Sequence, residues 1–276
     1  MSKWVTVIGL TLLLVVAGGV GLWAGNAMQS ADRIAAPAQG SIEHRLRELG
    51  LTEDQLQATI QRGIETFILE QQQAQVRAEA LREEAMAARL RPVDPTEDFL
   101  RGAADAEFSM IEYSDYECPF CKRFHSTAAS FARDNPNLNW AHRHFPLRSH
   151  DPQSTMAAVG AECVGRLASV DAYWQYTDAY YDATRSGGRG IEGQSVPDLM
   201  VAAGVGEQDA LRCLEDPNMI ARVQAMADEG QSAGVTGTPG IFIRHNPTGQ
   251  VMRVPGAVPL PQLQASFNQF RASVGG

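Results

Sequence analysis

Two cysteines separated by two residues, set just behind a short alternating segment, restrict this chain more than any other feature. Phe108 to Tyr113 alternates apolar and polar residues as a strand does. Cys118-Pro119-Phe120-Cys121 follows and opens a helical pattern that runs through Phe131. This order places Cys118 at a helix N-terminus, where unpaired N–H groups and the helix dipole favour an anion. A thiol there loses its proton readily and becomes a thiolate, the nucleophilic form of sulfur. Cys121 lies one turn on, within reach of a ring-closing bond to Cys118. Pro119 suits the first turn, where its missing N–H leaves no bond unmade. The competing chemistry is half of a zinc site, which needs three or four ligands. Cys163 and Cys213 are isolated, and the histidines show no ligand spacing, so no metal is expected.

The rest of the region from about residue 96 to 276 reads as one α/β domain. Leu138 to Phe145 is a second strand, ended by Pro146. Residues 152–230 are mostly helical in pattern, interrupted by a glycine-rich loop from Ser186 to Gly193. Ile241 to Arg244 and Val251 to Val254 pair around a turn at Asn246 to Gly249, and Leu263 to Val274 closes the domain as a helix. Strands alternating with helices imply layered α/β packing, here with a helical insertion at about 150–230. Thr238-Pro239 precedes the apolar strand Ile241-Phe242-Ile243, and a proline in that place is a candidate for a cis bond that bends the chain sharply.

The N-terminal third sets the context. Lys3 precedes an uncharged apolar stretch from Trp4 to Ala24. At about 1.5 Å per residue it is long enough to cross a hydrocarbon core of about 30 Å. Residues 1–28 therefore read as a single-pass anchor with Lys3 inside, or as a signal peptide cut near Gly25-Asn26-Ala27. Either sends the remainder out of the cytoplasm. Residues 29–95 read as a tether and helical linker. Thr52 with Gln55 makes a capping box. Ile60, Ile64, Phe67, Ala74, Ala78, Leu81, Ala85 and Ala88 recur at a spacing of three to four, broken by Gln71. Residues 52–90 are thus a candidate homo-oligomerisation stalk, with a lone solvated spacer as the alternative. Nucleic acid is excluded as a partner, because 32 acidic against 23 basic residues leave a net charge of -9 that repels phosphate.

The run IEYSDYECPFC from Ile111 to Cys121, His144-Phe145-Pro146-Leu147 and Gly237-Thr238-Pro239 together resemble the signature of DsbA-like thioredoxin-fold proteins. The resemblance spans about residues 96–274. It implies a thioredoxin-like fold and thiol–disulfide exchange on cysteine-containing extracytoplasmic proteins, on the periplasmic side. It implies that Cys118 is the nucleophile and Cys121 the resolving thiol, that Pro239 is cis, and that the Thr238 backbone pairs with the substrate chain beside Pro119 and Phe120. No dissociable cofactor is required, but a membrane redox partner must reset the pair. Disulfide formation is the expected direction, with isomerase or reductase action and a non-catalytic tethered binding module as rivals.

Single residues carry further expectations. The family often places a buried acid six residues before the first cysteine, here Glu112. Such a carboxyl, desolvated beside a thiol, is able to take the proton from Cys121. The alternation favours burial of Glu112, since Met110 shares its face, with an ordinary strand carboxylate facing water as the alternative. Asp115 and Glu117 read as surface charges. Phe120 stands where the family's strong oxidant has His, and it has no N–H to donate, so a less acidic Cys118 resting on the helix terminus alone is expected. Similar family members carry cysteines near Cys163 and Cys213, which implies a structural disulfide, with two buried free thiols as the alternative. Tyr173, Trp174, Tyr176, Tyr180 and Tyr181 crowd one helical segment and read as core rather than as a substrate groove. His142, His144 and His150 read as structural or exposed.

Overall fold

A computed structural model describes residues 39–50 and 52–275. The expected membrane anchor or signal peptide lies outside the described residues. Among the described residues, no helix is long and apolar enough to cross a membrane. The chain divides into two units, Met1–Ala74 and Gln75–Gly276, with the boundary inside a helix.

In the first unit, α1 (Gln39–Glu48) ends at Gly50, which adopts a φ of 68° open to glycine without strain. Helix α2 (Glu53–Ala87) begins at the anticipated capping box. The Thr52 N–H donates to Gln55 Oε1 at 2.9 Å, and the Gln55 N–H donates to Thr52 Oγ1 at 3.2 Å. Pro92 and Pro95 lie beyond its end.

The second unit is built on a five-stranded sheet of order β1-β3-β2-β4-β5. Its strands are β1 (Leu100–Arg101), β2 (Phe108–Ser114), β3 (Leu138–His144), β4 (Gly240–His245) and β5 (Val251–Val254). Strands β2 and β3 run parallel and are joined by α3 (Pro119–Asp134); the other pairs are antiparallel. A parallel pair requires such a crossover, and so the CxxC helix is placed at the C-terminal end of the central strand. Between β3 and β4 the helical insertion comprises α4 (Gln153–Leu167), α5 (Val170–Ala183), α6 (Val196–Ala202), α7 (Glu207–Leu214) and α8 (Pro217–Ser232). Helix α9 (Leu260–Val274) closes the chain.

Both faces of the sheet are covered, so every residue of β2 is buried, including its polar ones. One face carries Phe108 and Met110 in a core shared with α3, α5 and α9; the other carries Ile111 and Tyr113 with Leu90, Val235 and Phe242. Gly230 of α8 lets that helix lie directly on the second face, where a Cβ would meet the Tyr113 ring at 2.7 Å and Phe145 at 2.9 Å. Arg143, fully buried there, donates to Asp98 at 2.9 and 3.0 Å and to Glu229 of α8 at 2.6 Å. Arg91 reaches the same two carboxylates. The two-residue edge strand β1 and the cis Asp151–Pro152 bond have no counterpart in the sequence reading.

Candidate active site

Cys118 is the N-cap of α3 and Pro119 its first helical residue. The Thr238–Pro239 bond is cis, and the loop it forms lies against the motif: the Cys118 thiol donates to the Thr238 carbonyl oxygen at 3.5 Å. The two segments expected to face one another are thus in contact across 120 residues of sequence. Both cysteines are free thiols. The sulfur is less open than an exposed nucleophile at a helix start would be, since Cys118 is 3% exposed. Pro119 and Phe120, which follow it, and Thr236 and Gly237, which precede the Thr238 carbonyl it meets, are all exposed. Phe120 is 54% exposed and stacks under the Arg123 guanidinium.

The two sulfurs differ sharply in acidity. Cys118 is lowered from 9.0 to about 6, chiefly by the hydrogen bond from the Cys121 thiol, against the opposing effect of burial. Thr238 and the backbone N–H groups of Cys121 and Phe120 add to the lowering. The helix terminus is therefore not the sole support that the Phe120 substitution suggested. Cys121 is raised well above 9.0, first by burial and then by the proximity of Cys118 and Glu112. One sulfur is thus a thiolate at neutral pH and the other a thiol that can hydrogen-bond to it.

Glu112 lies on the buried face with Met110, 1% exposed. Burial pushes its carboxyl up to about 7, the Ser114 hydroxyl opposes that by donating to Oε1 at 2.7 Å, and the Cys118 charge adds to it. The Trp140 indole N–H also acts on this carboxyl in the lowering sense, although neither Glu112 Oε2 nor Trp140 Nε1 makes a hydrogen bond of normal geometry among the described residues. A carboxyl titrating near neutrality beside a thiol pair is equipped to accept and return a proton.

The reading of Asp115 and Glu117 as surface charges is corrected: both are buried, at 1% and 0% exposure. Asp115 accepts from the backbone N–H groups of Glu117 and Leu147, at 2.8 and 3.0 Å, from His150 Nδ1 at 2.6 Å and from Ser154 Oγ at 2.5 Å. Glu117 accepts from Tyr180 at 2.9 Å, from Thr184 at 2.6 Å and from the Gly190 N–H at 3.0 Å. The Gly187 N–H also donates to the Glu117 carbonyl at 2.7 Å. These two acids tie the turn before Cys118 to α4, α5 and the glycine-rich loop. They were missed because, apart from the Glu117 N–H, their partners lie 32 to 73 residues away; the run of acids against the motif was the signal available.

Elsewhere, Cys163 and Cys213 are joined by a disulfide between α4 and α7, with Cα atoms 5.9 Å apart. Tyr173, Trp174, Tyr176, Tyr180 and Tyr181 are all buried, as core packing requires. His142 and His144 are buried too, and His150 is partly covered beside Asp115. Among the described residues, no group of three or more His, Cys, Asp or Glu is arranged to hold a metal ion.

A family model described as thioredoxin matches residues 94–253, more than half of the chain. The chain belongs to the thioredoxin family. DsbA2 of Pseudomonas aeruginosa is similar in structure, with a TM-score of 0.58 and 26% identity, over 65% of this chain and 97% of that one. A linker-deleted ScsC variant of Proteus mirabilis shares the fold at a TM-score of 0.58 and 19% identity, covering 81% of this chain and 98% of that one. The DsbA-like resemblance is thereby upheld, and the thioredoxin-family domain is that of a thiol–disulfide oxidoreductase. Among curated proteins, the Na(+)/H(+) antiporter NhaA 1 of Salinispora arenicola is 29% identical over 174 residues, 60% of this chain but 25% of that protein. NhaA 1 of Mycolicibacterium gilvum is 29% identical over 160 residues, 56% of this chain and 24% of that protein. The chain thus spans about a quarter of the length of these relatives.

Proposed function

We propose that this thiol–disulfide oxidoreductase acts outside the cytoplasm through Cys118 and Cys121, forming disulfides in cysteine-containing proteins. The observation that carries the reading is a thiol of pKa about 6 at a helix start, against the carbonyl of a cis-proline loop. In the oxidised enzyme, a substrate thiolate attacks Cys118 Sγ and the Cys118–Cys121 bond breaks. Its electron pair leaves on Cys121, which takes a proton from Glu112. A second substrate thiolate attacks the substrate sulfur of the mixed disulfide, and Cys118 departs as a stable thiolate. The substrate loses two electrons and the enzyme gains them. Resetting runs in reverse: Glu112 takes the Cys121 proton and a membrane redox partner accepts the electrons. The substrate chain lies along Thr238 and Pro239 as an added strand, beside Pro119 and Phe120. The apolar stretch Trp4 to Ala24 supports a membrane anchor. The exposed apolar row of α2 favours one second reading, an isomerase or reductase assembled from several copies through residues 52–90.

Alkylation tests the carrying observation. The rate of Cys118 alkylation against pH is expected to show a midpoint near 6. Cys118→Ala is expected to lose all oxidation of a reduced model substrate. A midpoint near 9.0, or an active Cys118→Ala variant, would sink the proposal. Trapping the pair in cells separates the two directions: mostly disulfide for an oxidase, mostly dithiol for an isomerase.

A further inference from the structure

Glu112 is the first member of a buried hydrogen-bonded chain that the exchange reaction does not otherwise use. Ser114 Oγ lies 2.7 Å from Glu112 Oε1 and 2.9 Å from the Tyr181 hydroxyl. Tyr181 lies 3.2 Å from His142 Nε2, on the residue that pairs with Glu112 across β2 and β3. His142 Nδ1 lies 2.9 Å from the Tyr173 hydroxyl, which also reaches the His142 carbonyl oxygen at 3.2 Å. All five residues are buried, at 3% exposure or less.

Proton counting fixes the direction of every bond. An ionised Glu112 only accepts, so Ser114 donates to it. Ser114 has one proton, so Tyr181 donates to Ser114. Tyr181 is then an acceptor, and His142 must carry its proton on Nε2. Nδ1 is left to accept from Tyr173. A Glu112 protonated on Oε1 reverses the whole sequence. Glu112 donates to Ser114, Ser114 to Tyr181, and Tyr181 to His142 Nε2. His142 now carries its proton on Nδ1 and donates to Tyr173, whose own proton turns to the His142 carbonyl. Both arrangements leave each member satisfied. The total differs by the one proton on Glu112, and no other group becomes charged.

The geometry points to Tyr173, His142, Tyr181 and Ser114 as positioning residues that let the buried Glu112 change charge. The inference rests on Glu112 as the proton acceptor proposed above. Burial holds His142 neutral, well below its ordinary value, and the neighbouring His144, His125 and Arg101 act in the same sense. That neutrality is what a reversible link requires. The other ionisable groups influencing Glu112 are Cys118 and Cys121 of α3; Trp140 of β3 and Tyr181 of α5 bring polar groups, and Ile241 of β4 is apolar.

NMR of the full-length reduced protein tests this independently of turnover. The Glu112 carboxyl carbon is expected to titrate near 7. Ser114→Ala removes the hydroxyl that donates to the ionised carboxyl and is expected to move that midpoint up by about 0.5–1 pH unit, the worth of one modest hydrogen bond. Tyr181→Phe cuts the chain between Ser114 and His142 and is expected to hold the His142 ring in one tautomer, which guards against a misfolded Ser114→Ala. The ring nitrogens of His142 are expected to exchange Nε2–H for Nδ1–H as Glu112 gains its proton, without the ring becoming charged, and to keep one tautomer throughout in Glu112→Gln. An unmoved midpoint in Ser114→Ala, or one His142 tautomer across the Glu112 titration of the wild type, overturns the inference. Unchanged exchange activity in Glu112→Gln, with the tautomer exchange intact in the wild type, instead overturns the acceptor role of Glu112 and leaves the chain standing.

Discussion

A single carboxyl shows how function and stability oppose each other at the residue scale. Glu112 is raised from 4.5 to about 7 because burial penalises its charge. The folded chain therefore holds that proton more tightly than the unfolded chain does. The resulting stabilisation is fully present below pH 4.5 and is lost as pH rises through about 7. Glu112→Gln keeps the size and removes the charge. It is expected to match the wild type near pH 4 and to exceed its unfolding free energy at pH 8 by up to about 3 kcal/mol. Denaturant unfolding of the reduced protein at the two pH values measures this, and a gap that does not grow with pH contradicts it. The same scale is where the sequence was least legible. Cys118, Cys121 and the Thr238–Pro239 loop announce themselves by spacing and residue type. The burial of Asp115 and Glu117 depends on Ser154, Tyr180 and Gly190 closing over them, and no local pattern encodes that.

Secondary-structure elements were legible in proportion to how much of their signal is local. The capping box of α2 and the paired segments Ile241 to Arg244 and Val251 to Val254 carry their own instructions, and they form where expected. Strand β1 is two residues long and exists only because β3 offers it an edge. The alternation of β2 placed Glu112 on the buried face with Met110, and it is buried there; helices cover the other side as well, and Ser114 reaches Glu112 inside. Arg143 illustrates how an element is held by a buried charge. It links β3 to Asp98 and to Glu229, and Glu229 also accepts from the Tyr113 hydroxyl. Asp98 stays below the ordinary carboxylate range although burial opposes it, because Arg143 and Arg91 both donate to it. Arg143→Met leaves the half-shielded Arg91 to balance both acids alone. Removing one partner of a buried pair costs about 3–5 kcal/mol, and a loss of that size in the unfolding free energy from denaturant titration is expected. Helix α8 leads into the Thr238–Pro239 loop, so loosening it should also slow exchange. An unfolding free energy unchanged within about 0.5 kcal/mol would show that the network is dispensable.

For the whole molecule, the open question is how many chains act together. Ile60, Phe67, Ala74 and Leu81 recur every seven residues along α2, with Ile64, Ala78 and Ala85 interleaved at the other seam position. Ile60 and Ile64 are each 53% exposed, Phe67 61% and Leu81 66%, a row of apolar surface that a lone helix gains nothing by presenting to water. A second copy of the same helix would cover it, seam against seam. Gln71 occupies one seam position, where a polar side chain weakens assembly but can fix register and copy number. The full-length chain in mild detergent is therefore expected to sediment as a multiple of 29.9 kDa. Phe67→Glu places a charge in the seam and should return the protein to a single chain, while Gln71→Leu should tighten the assembly. Cys118 belongs to the other unit, so its alkylation midpoint near 6 should not move in either variant. If the two variants and the wild type share one mass, the helix is a solvated spacer, and the isomerase reading loses the observation that favoured it.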